Sequence, residues 1–484
     1  MFTLDRDSPT PLADQTEARL RRLIDDGQLP AGSRLPSIRA LAAQLGVSAN
    51  TVVTAYDRLV AQALIEPRGT AGFVVAAGPA SQTIESALAA GEEQDAVWLV
   101  QQAHDQRSGV LPASSGALPV SWLEEGIPPS LVQRAVAKTP GGMAARCPPQ
   151  GLPELRERLA LMMRAQGIPV DASRVLTTYG GTHAIDLICR CFLQRGDAVL
   201  VDDPGYFLLF ERLRDLGMQV VPIPRRHDGP DLAALEEACK TRRPRLFFAQ
   251  SVLHNPTGWG ASAGALHRVL ALAERHGFLI AEDDVQGHFH PGHPPRLAQL
   301  AGLSRVIYYS TFCKALSPAL RLGYLAAEPE LLKPLLREKI MSVMTTAALN
   351  EHVLLELLAT GRWRKHIDRL NQRLGHARSL TSRQLADCGI EIDHPGEGGL
   401  FLWARVAGGV DIDQLAKDAF ASGILLARGS SFHADGAPSE HLRFNVVFSQ
   451  HVRLHDYLRQ RLAGGRGPAR GAAVVALRPA GPGR

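Results

Sequence analysis

Tyr206, Asn255, Asp283, Lys314, Arg321 and Arg443 are the side chains whose types and placing could do chemistry together. Lys314 follows the run Val306-Ile307-Tyr308-Tyr309-Ser310, and a buried amine with lowered proton affinity can condense with an aldehyde to a Schiff base. Arg321, seven residues on, offers a planar fork that fits a phosphate. Asp283 closes Phe-Leu-Ile-Ala-Glu-Asp, where a carboxylate can keep a pyridine nitrogen protonated and make the ring an electron sink. Asn255, in His254-Asn255-Pro256-Thr257-Gly258, can donate to a phenolic oxygen, and Tyr206, in Asp203-Pro204-Gly205-Tyr206, can stack on a ring face. Gly180-Gly181-Thr182 precede a helix expected over His183–Leu193, and backbone N–H groups at a helix start cradle phosphate. Arg443, in Leu442-Arg443-Phe444-Asn445, suits the carboxylate of an amino acid. Aldehyde, phosphate, pyridine nitrogen and phenolic oxygen are the groups of pyridoxal 5'-phosphate (PLP).

Taken singly, these signals are ordinary. A lone lysine usually faces solvent, Asp-Pro-Gly-Tyr commonly makes only a turn, Gly-Gly-Thr often just caps a helix, and one arginine usually forms a surface ion pair. Their order along the chain, each at a strand end, carries the reading.

The elements that must position them alternate. Strands are expected at Val175–Thr178, Ala198–Val201, Gln219–Ile223, Leu246–Gln250, Phe278–Glu282 and Val306–Ser310, with helices between, which argues a mostly parallel α/β sheet. Leu331–His376 reads as helical, and Gly399–Val406, Ile424–Leu426 and Leu442–Val447 read as strands of a smaller subdomain.

The first 76 residues read differently. Helices are expected over Leu12–Gly27, over Ile38–Leu45 with Ser37 as N-cap and Gly46 as its end, and over Ala49–Ala63 with Ser48 as N-cap. Two short strands, Leu64–Pro67 and Ala71–Val75, flank a Gly69-Thr70 turn. Two helices about Gly46-Val47-Ser48 make a helix-turn-helix, whose second helix enters the DNA major groove. Ser48, Asn50, Thr51 and Thr54 stand at its start, and Arg34, Arg39, Arg58 and Arg68 lie around the turn, helix and wing. The bland alternative is a winged helix that contacts protein, its arginines a solvated face.

With 484 residues the chain exceeds one compact core, and 45% hydrophobic with 21% charged residues is ordinary for a globular protein. The net charge of +5 is misleading: Arg466, Arg470, Arg478 and Arg484 of the tail account for four of those charges, and residues 1–75 balance eight arginines against eight acids. Placement, not bulk charge, must argue for DNA. No run of about 18 apolar residues appears, so no membrane span is expected. The start, Met-Phe-Thr-Leu-Asp-Arg-Asp, lacks an export pattern, so the cytoplasm is the expected location. The six cysteines are expected as buried free thiols, with no metal site.

The run LPSIRALAAQLGVSANTVVTAYDRLVAQALIEPRGTAGFVV closely resembles GntR-type winged helices. That resemblance implies phosphate contacts from Arg39 and Arg68 and base reading near Asn50 and Thr51, with Ser48 beside them; relatives often carry Arg where Ala49 stands here. The region near 110–455 resembles the fold type I PLP enzymes, and the whole chain resembles MocR-type regulators, which fuse the two. The organisation implied is a DNA-binding domain over 1–76, a linker over 77–109, an aminotransferase-like PLP domain over 110–460 with large and small subdomains, and a disordered Gly/Pro/Arg tail over 461–484. The cofactor set is Gly181, Thr182, Tyr206, Asn255, Asp283, Gln286, Thr311, Lys314 and Arg321, with Lys314 as the Schiff-base residue and Arg443 for an effector carboxylate. Gln286 stands where relatives place a tyrosine, Cys313 where they place a serine. The segment Arg146-Cys147-Pro148-Pro149-Gln150-Gly151 replaces a tyrosine-bearing loop that reaches the partner's phosphate.

The expected function is a homodimeric transcription regulator that binds a double-stranded DNA operator and senses PLP or an adduct of PLP with a small amine or amino acid. Symmetric docking would place half-sites about 34 Å apart or a multiple of it. Gln286 and Arg146 weigh against efficient transamination. The alternatives are an active aminotransferase with a vestigial winged helix, and a DNA-binding protein whose pocket serves a different small molecule or none.

Overall fold

The computed structural model describes residues 3–463 apart from 7, 9, 26–28, 30–31, 62–63, 69–71, 77–94, 105–108 and 145. The chain forms two compact units, Met1–Pro112 with Ala419–Leu425, and Ala113–Asp418 with Leu426–Arg484. Most of the expected linker, the wing turn at Gly69-Thr70 and the tail over 464–484 lie outside the described residues.

In the first unit, α1 (Leu12–Asp25), α2 (Ile38–Leu45) and α3 (Ala49–Ala61) precede the antiparallel pair β1 (Ile65–Pro67) and β2 (Phe73–Val75). The caps fall where the sequence puts them. Ser37 Oγ accepts from Ala40 N at 3.2 Å, Gly46 takes a left-handed φ of 63°, and Ser48 Oγ accepts from Thr51 N at 3.1 Å. Leu20, Leu41, Val52, Tyr56, Leu59 and Ile65 form the core, the apolar stripes of three helices closing on one another. Tyr56 buries its ring there and donates its hydroxyl to Pro36 O at 2.8 Å. A further helix, Ala96–His104, sets Trp98 edge-on against Phe420 at 4.7 Å.

The second unit is built on an eight-stranded sheet of order β3-β10-β9-β8-β7-β4-β5-β6. Its strands are β3 (Val175–Thr178), β4 (Ala198–Asp203), β5 (Gln219–Arg226), β6 (Gly229–Pro230), β7 (Leu246–Ala249), β8 (Leu279–Asp283), β9 (Val306–Thr311) and β10 (Gly323–Ala326). β9, β8, β7, β4 and β5 pair parallel, so their central residues are buried on both faces, which explains runs such as Val199-Leu200-Val201 without polar alternation. The six expected strands are all present. β10 was not expected: only four residues long, it pairs antiparallel with both β3 and β9 directly after the segment carrying Lys314 and Arg321.

A four-stranded antiparallel sheet, β11 (Ile390–Ile392), β12 (Phe401–Val406), β14 (His441–Asn445) and β13 (Ala427–Arg428), makes the smaller layer. The strand expected at Ile424–Leu426 is displaced. Ile424 forms only an isolated bridge with Leu111, and the ladder to β14 starts at Ala427. The helical region divides into Pro329–Val343, Ala348–Ala359 and Arg362–Asp387. No described helix is long and apolar enough to cross a membrane. All six cysteines are free, but Cys191 and Cys313 are only partly buried, against the expectation. Among the described residues, no group of His, Cys, Asp or Glu is placed to hold a metal.

Candidate cofactor site and nucleic-acid interface

Lys314 sits just past β9, where the chain folds back toward β10 and Phe312 N bonds Leu322 O at 2.9 Å. Its amine donates to Gly116 O at 3.3 Å. Burial lowers its pKa to about 8, the Arg443 charge adds to that, and Asp283 opposes it. Asp283 ends β8. Burial raises its carboxyl to about 6, while bonds from Val285 N (2.9 Å) and the Tyr309 hydroxyl (3.1 Å) act to lower it. Burial also pushes the Tyr206 phenol up to about 12, with the Asp283 charge adding to the rise. Lys314 and Tyr206 each feel the charges of both Asp283 and Arg443.

Arg443, on β14, is 5% exposed and spends two N–H groups on fixed acceptors: Asn255 Oδ1 at 2.8 Å and Ser114 O at 2.6 Å. Its buried Nε has no hydrogen-bond partner among the described residues. Phe401, Phe432 and Phe207 surround the guanidinium at 4.3, 4.8 and 5.7 Å from ring centre to Cζ. Burial lowers its pKa to about 9. Of the other buried arginines, Arg225 meets Asp202 at 3.1 Å and Arg296 meets Asp284 at 2.9 Å, while Arg378 spends its guanidinium on the carbonyls of Pro395, Gly398 and Phe401. Arg443 has no carboxylate partner among the described residues. A buried cation without an anion is expensive, and a ligand carboxylate would relieve it.

The turn from β3 into helix Gly180–Phe192 forms a cup. Gly180 has φ +79°, and a Cβ there would lie 3.2 Å from Cys313 Sγ, 3.4 Å from Arg321 Nη2 and 3.6 Å from Thr311 Oγ1. Gly180, Gly181 and Thr182 do not precede this helix, as expected, but make its first turn. Their position at the helix start still leaves backbone N–H groups without intrahelical partners. Arg321 donates to Tyr179 O at 3.3 Å, and Thr311 Oγ1 accepts from Cys313 N at 3.1 Å while donating to Leu322 O at 3.1 Å. An anion-sized cradle with a guanidinium, a hydroxyl and a helix N-terminus fits a phosphate. Gln286 is 1% exposed and its Oε1 is buried without a partner among the described residues. Among the described residues no hydrogen bond joins it to Lys314, Asp283 or Arg321.

Sequence reasoning missed several neighbours. Tyr309 left a signal, since alternation along Val306–Thr311 puts it on one face of a strand ending near the lysine. The carbonyls of Ser114 and Gly116 left none, because a backbone acceptor has no side-chain signature. A second buried lysine, Lys339, has its pKa lowered to about 8 by burial as well. Its amine is spent on Thr177 Oγ1 (3.1 Å) and Thr346 Oγ1 (3.4 Å), whose hydroxyls bond Glu351. Lys339 thus donates to two side-chain hydroxyls, whereas Lys314 donates to one backbone carbonyl.

In the first unit Ser48, Asn50, Arg34, Arg39 and Arg68 are exposed and Thr51 is half-buried. Ser48 Oγ lies 2.8 Å from Thr51 Oγ1, so both hydroxyls serve the cap, and Asn50 is the exposed amide at the helix start. Thr54 Oγ1 turns back to Asn50 O at 3.0 Å. Arg58, grouped above with the contact arginines, is held by Asp14 and Glu17 of α1. Arg68 lies 3.4 Å from Glu66, an exposed pair of little energetic weight. Arg6, not singled out above, donates to Gly46 O at 2.7 Å beside the turn.

Comparison with known proteins places these two units. Residues 109–454 match the family described as aminotransferase class I and II, and residues 12–75 match the bacterial regulatory proteins of the gntR family. The uncharacterized HTH-type transcriptional regulator YdfD of Bacillus subtilis is 27% identical over 85% of this chain and 88% of its own length. The probable rhizopine catabolism regulatory protein MocR of Rhizobium meliloti is 29% identical over 88% of this chain and 87% of its own. Among solved structures, LysN, the alpha-aminoadipate aminotransferase of Thermus thermophilus, was determined in complex with N-(5'-phosphopyridoxyl)-L-leucine. It aligns with a TM-score of 0.67 at 27% identity, covering 76% of this chain and 94% of that one.

Proposed function

Because the chain belongs to the aminotransferase class I and II family and carries a gntR-family domain before it, the make-up of a MocR-type regulator, we propose that it is a DNA-binding transcription regulator whose action depends on PLP. The observation that carries the cofactor part is Lys314: an amine of lowered pKa, coupled to Asp283 and Arg443 and bonded to a single carbonyl. PLP, when bound, supplies a ring that withdraws electrons from a carbon attached to an amine nitrogen. Lys314 would hold it covalently. Gly181 and Thr182, with Thr311 and Arg321, would hold the phosphate; Asp283 would hold the pyridine nitrogen, Asn255 the phenolic oxygen and Tyr206 the ring face. Gln286 would offer an amide where its Oε1 now has no partner.

Arg443 would orient an effector carboxylate, and its aromatic surround would keep water away. Lys314, which feels the Arg443 charge, would hold or move a proton at its amine. In the first unit Arg39 and Arg68 would meet phosphates, and Asn50, with Ser48 and Thr51 setting the helix start, would face base edges. Regulation follows if the bound small molecule favours one arrangement of a homodimer over another, since a ligand shifts an equilibrium only by its difference in affinity for the two states. The action belongs in the cytoplasm, where operator DNA and PLP are both within reach.

The test is direct. The purified protein should absorb at the violet edge of the visible as a lysine-bound PLP does, and borohydride reduction followed by mass spectrometry should find the pyridoxyl group on the Lys314 peptide. A reduced Lys314 peptide without that group ends this reading. A second reading, an active aminotransferase, is favoured by the joint presence of Lys314, Asp283 and Arg443. Rapid-mixing spectra showing conversion to pyridoxamine phosphate with common amino acids would support it.

A further inference from the structure

The groups around Lys314 come from both sheets of the second unit, and one short segment ties those sheets beside the site. β4 ends at Asp203, followed by Pro204, Gly205 and Tyr206. On the smaller layer, the turn Gly429–Phe432 leads into His433 and Ala434. Three hydrogen bonds join the two, and a fourth comes from Arg214 on the helix that follows Tyr206. Gly205 N donates to Phe432 O at 2.8 Å and Ala434 N to Asp203 Oδ2 at 2.8 Å. His433 Nδ1 donates to Asp203 Oδ1 at 2.5 Å, and the Arg214 guanidinium donates to Ala434 O. The Asp203 carboxylate raises the pKa of His433 against the effect of its burial. Among the described residues no hydrogen bond joins these groups to Lys314, and the cofactor reading makes no use of Asp203 or His433.

Each end of the tie reaches the site within one or three residues. Tyr206, coupled electrostatically to Asp283 and Arg443, follows Asp203 by three, and Phe207 comes next. Phe432, directly before His433, packs edge-on against Phe207 at 5.4 Å and Trp403 at 5.5 Å and lies 4.8 Å from the Arg443 guanidinium. The wall beside Arg443 is therefore shared between two sheets. Such a wall excludes water from the cation only while the sheets keep their spacing, and water exclusion is what makes a charged pair strong.

We propose that Asp203 and His433 are positioning residues of the carboxylate pocket: their pairing holds Phe207 and Phe432 together beside Arg443 and so sets the affinity for a small carboxylate ligand. The proposal rests on the reading of Arg443 given above and specifies how that site is kept closed. The ligand it implies is an amino acid whose carboxylate meets Arg443 and whose apolar part meets the phenylalanines.

The experiment uses the PLP-loaded full chain, titrated with L-leucine and with its des-amino analogue 4-methylpentanoate while the cofactor absorbance is followed. His433→Leu and Asp203→Asn should each weaken both probes by about tenfold with PLP content unchanged. The double variant should be no weaker than either single one, because both remove the same bond. His433→Asn, whose amide can donate from near the Nδ1 position, should stay within about threefold of the parent. Equal affinities in all variants, additive losses, or no response of the PLP-loaded parent to either probe would overturn the proposal. So would loss of PLP on substituting His433 alone. Absence of PLP from the parent is a separate result, visible in the spectrum before any probe is added, and counts against the cofactor reading itself.

Discussion

The two units carry arginines in opposite ways. Arg34, Arg39 and Arg68 stand exposed around α3 and the wing, where salt screens them and their value depends on a polyanion arriving. Arg443 is buried, fixed by Asn255 and Ser114, walled by three phenylalanines and left without a carboxylate. On the proposed reading, the first arrangement would spread binding over several weak, additive contacts. The second would concentrate it in one group whose charge is already desolvated. Single substitutions should therefore act on very different scales in the two units.

The largest effect should come from Arg443→Met, which keeps an apolar side chain in the aromatic surround but removes the cation. Carboxylate ligands should lose roughly 100-fold in affinity, measured by cofactor absorbance, while PLP stays bound through Lys314 and the cup at Gly180. An unchanged response to amino acids would break the contrast at its stronger end.

An intermediate effect should appear in pH. The neutral amine is the form that condenses with an aldehyde, and burial places the Lys314 pKa at about 8 instead of the ordinary 10.5. The rate at which PLP enters the apo-protein should rise with pH, reach half its limit near pH 8, and level off above it. A rate still climbing steeply through the alkaline range would show an ordinary, solvated lysine.

The smallest effect should come from Arg39→Ala. Removing one exposed phosphate contact should weaken DNA binding similarly across sequences and lower the slope of log affinity against log salt by about one. A loss confined to one sequence would instead mean that Arg39 reads bases, and would blur the distinction between the units.

Much of this arrangement was legible in the sequence because local rules suffice for it. Ser37, Gly46 and Ser48 announce caps, and caps are decided within a turn of backbone. The strand ends that carry Asp283 and Lys314 follow apolar runs, whose burial is dictated by composition. What was hidden depends on distant pairing. β10 is four residues long and exists because β3 and β9 accept it from both sides. The ladder at Ala427 begins just past the expected strand, because Ile424 and Leu425 are engaged by Leu111 instead. Arg58 looked like a DNA contact until Asp14 and Glu17 were seen to face it across α1 and α3. The bond between Asp203 and His433 spans 230 residues of sequence, and neither residue type at either place signals the other.

The central claim is that PLP bound in the second unit changes how the first unit meets DNA. It is tested most directly by titrating DNA from upstream of the chain's own gene with the parent protein and with Lys314→Ala, each with and without PLP, reading affinity and footprint. PLP should shift one or both for the parent and neither for Lys314→Ala. Identical affinity and footprint for the parent with and without PLP would contradict the account and leave a winged-helix protein indifferent to its cofactor domain.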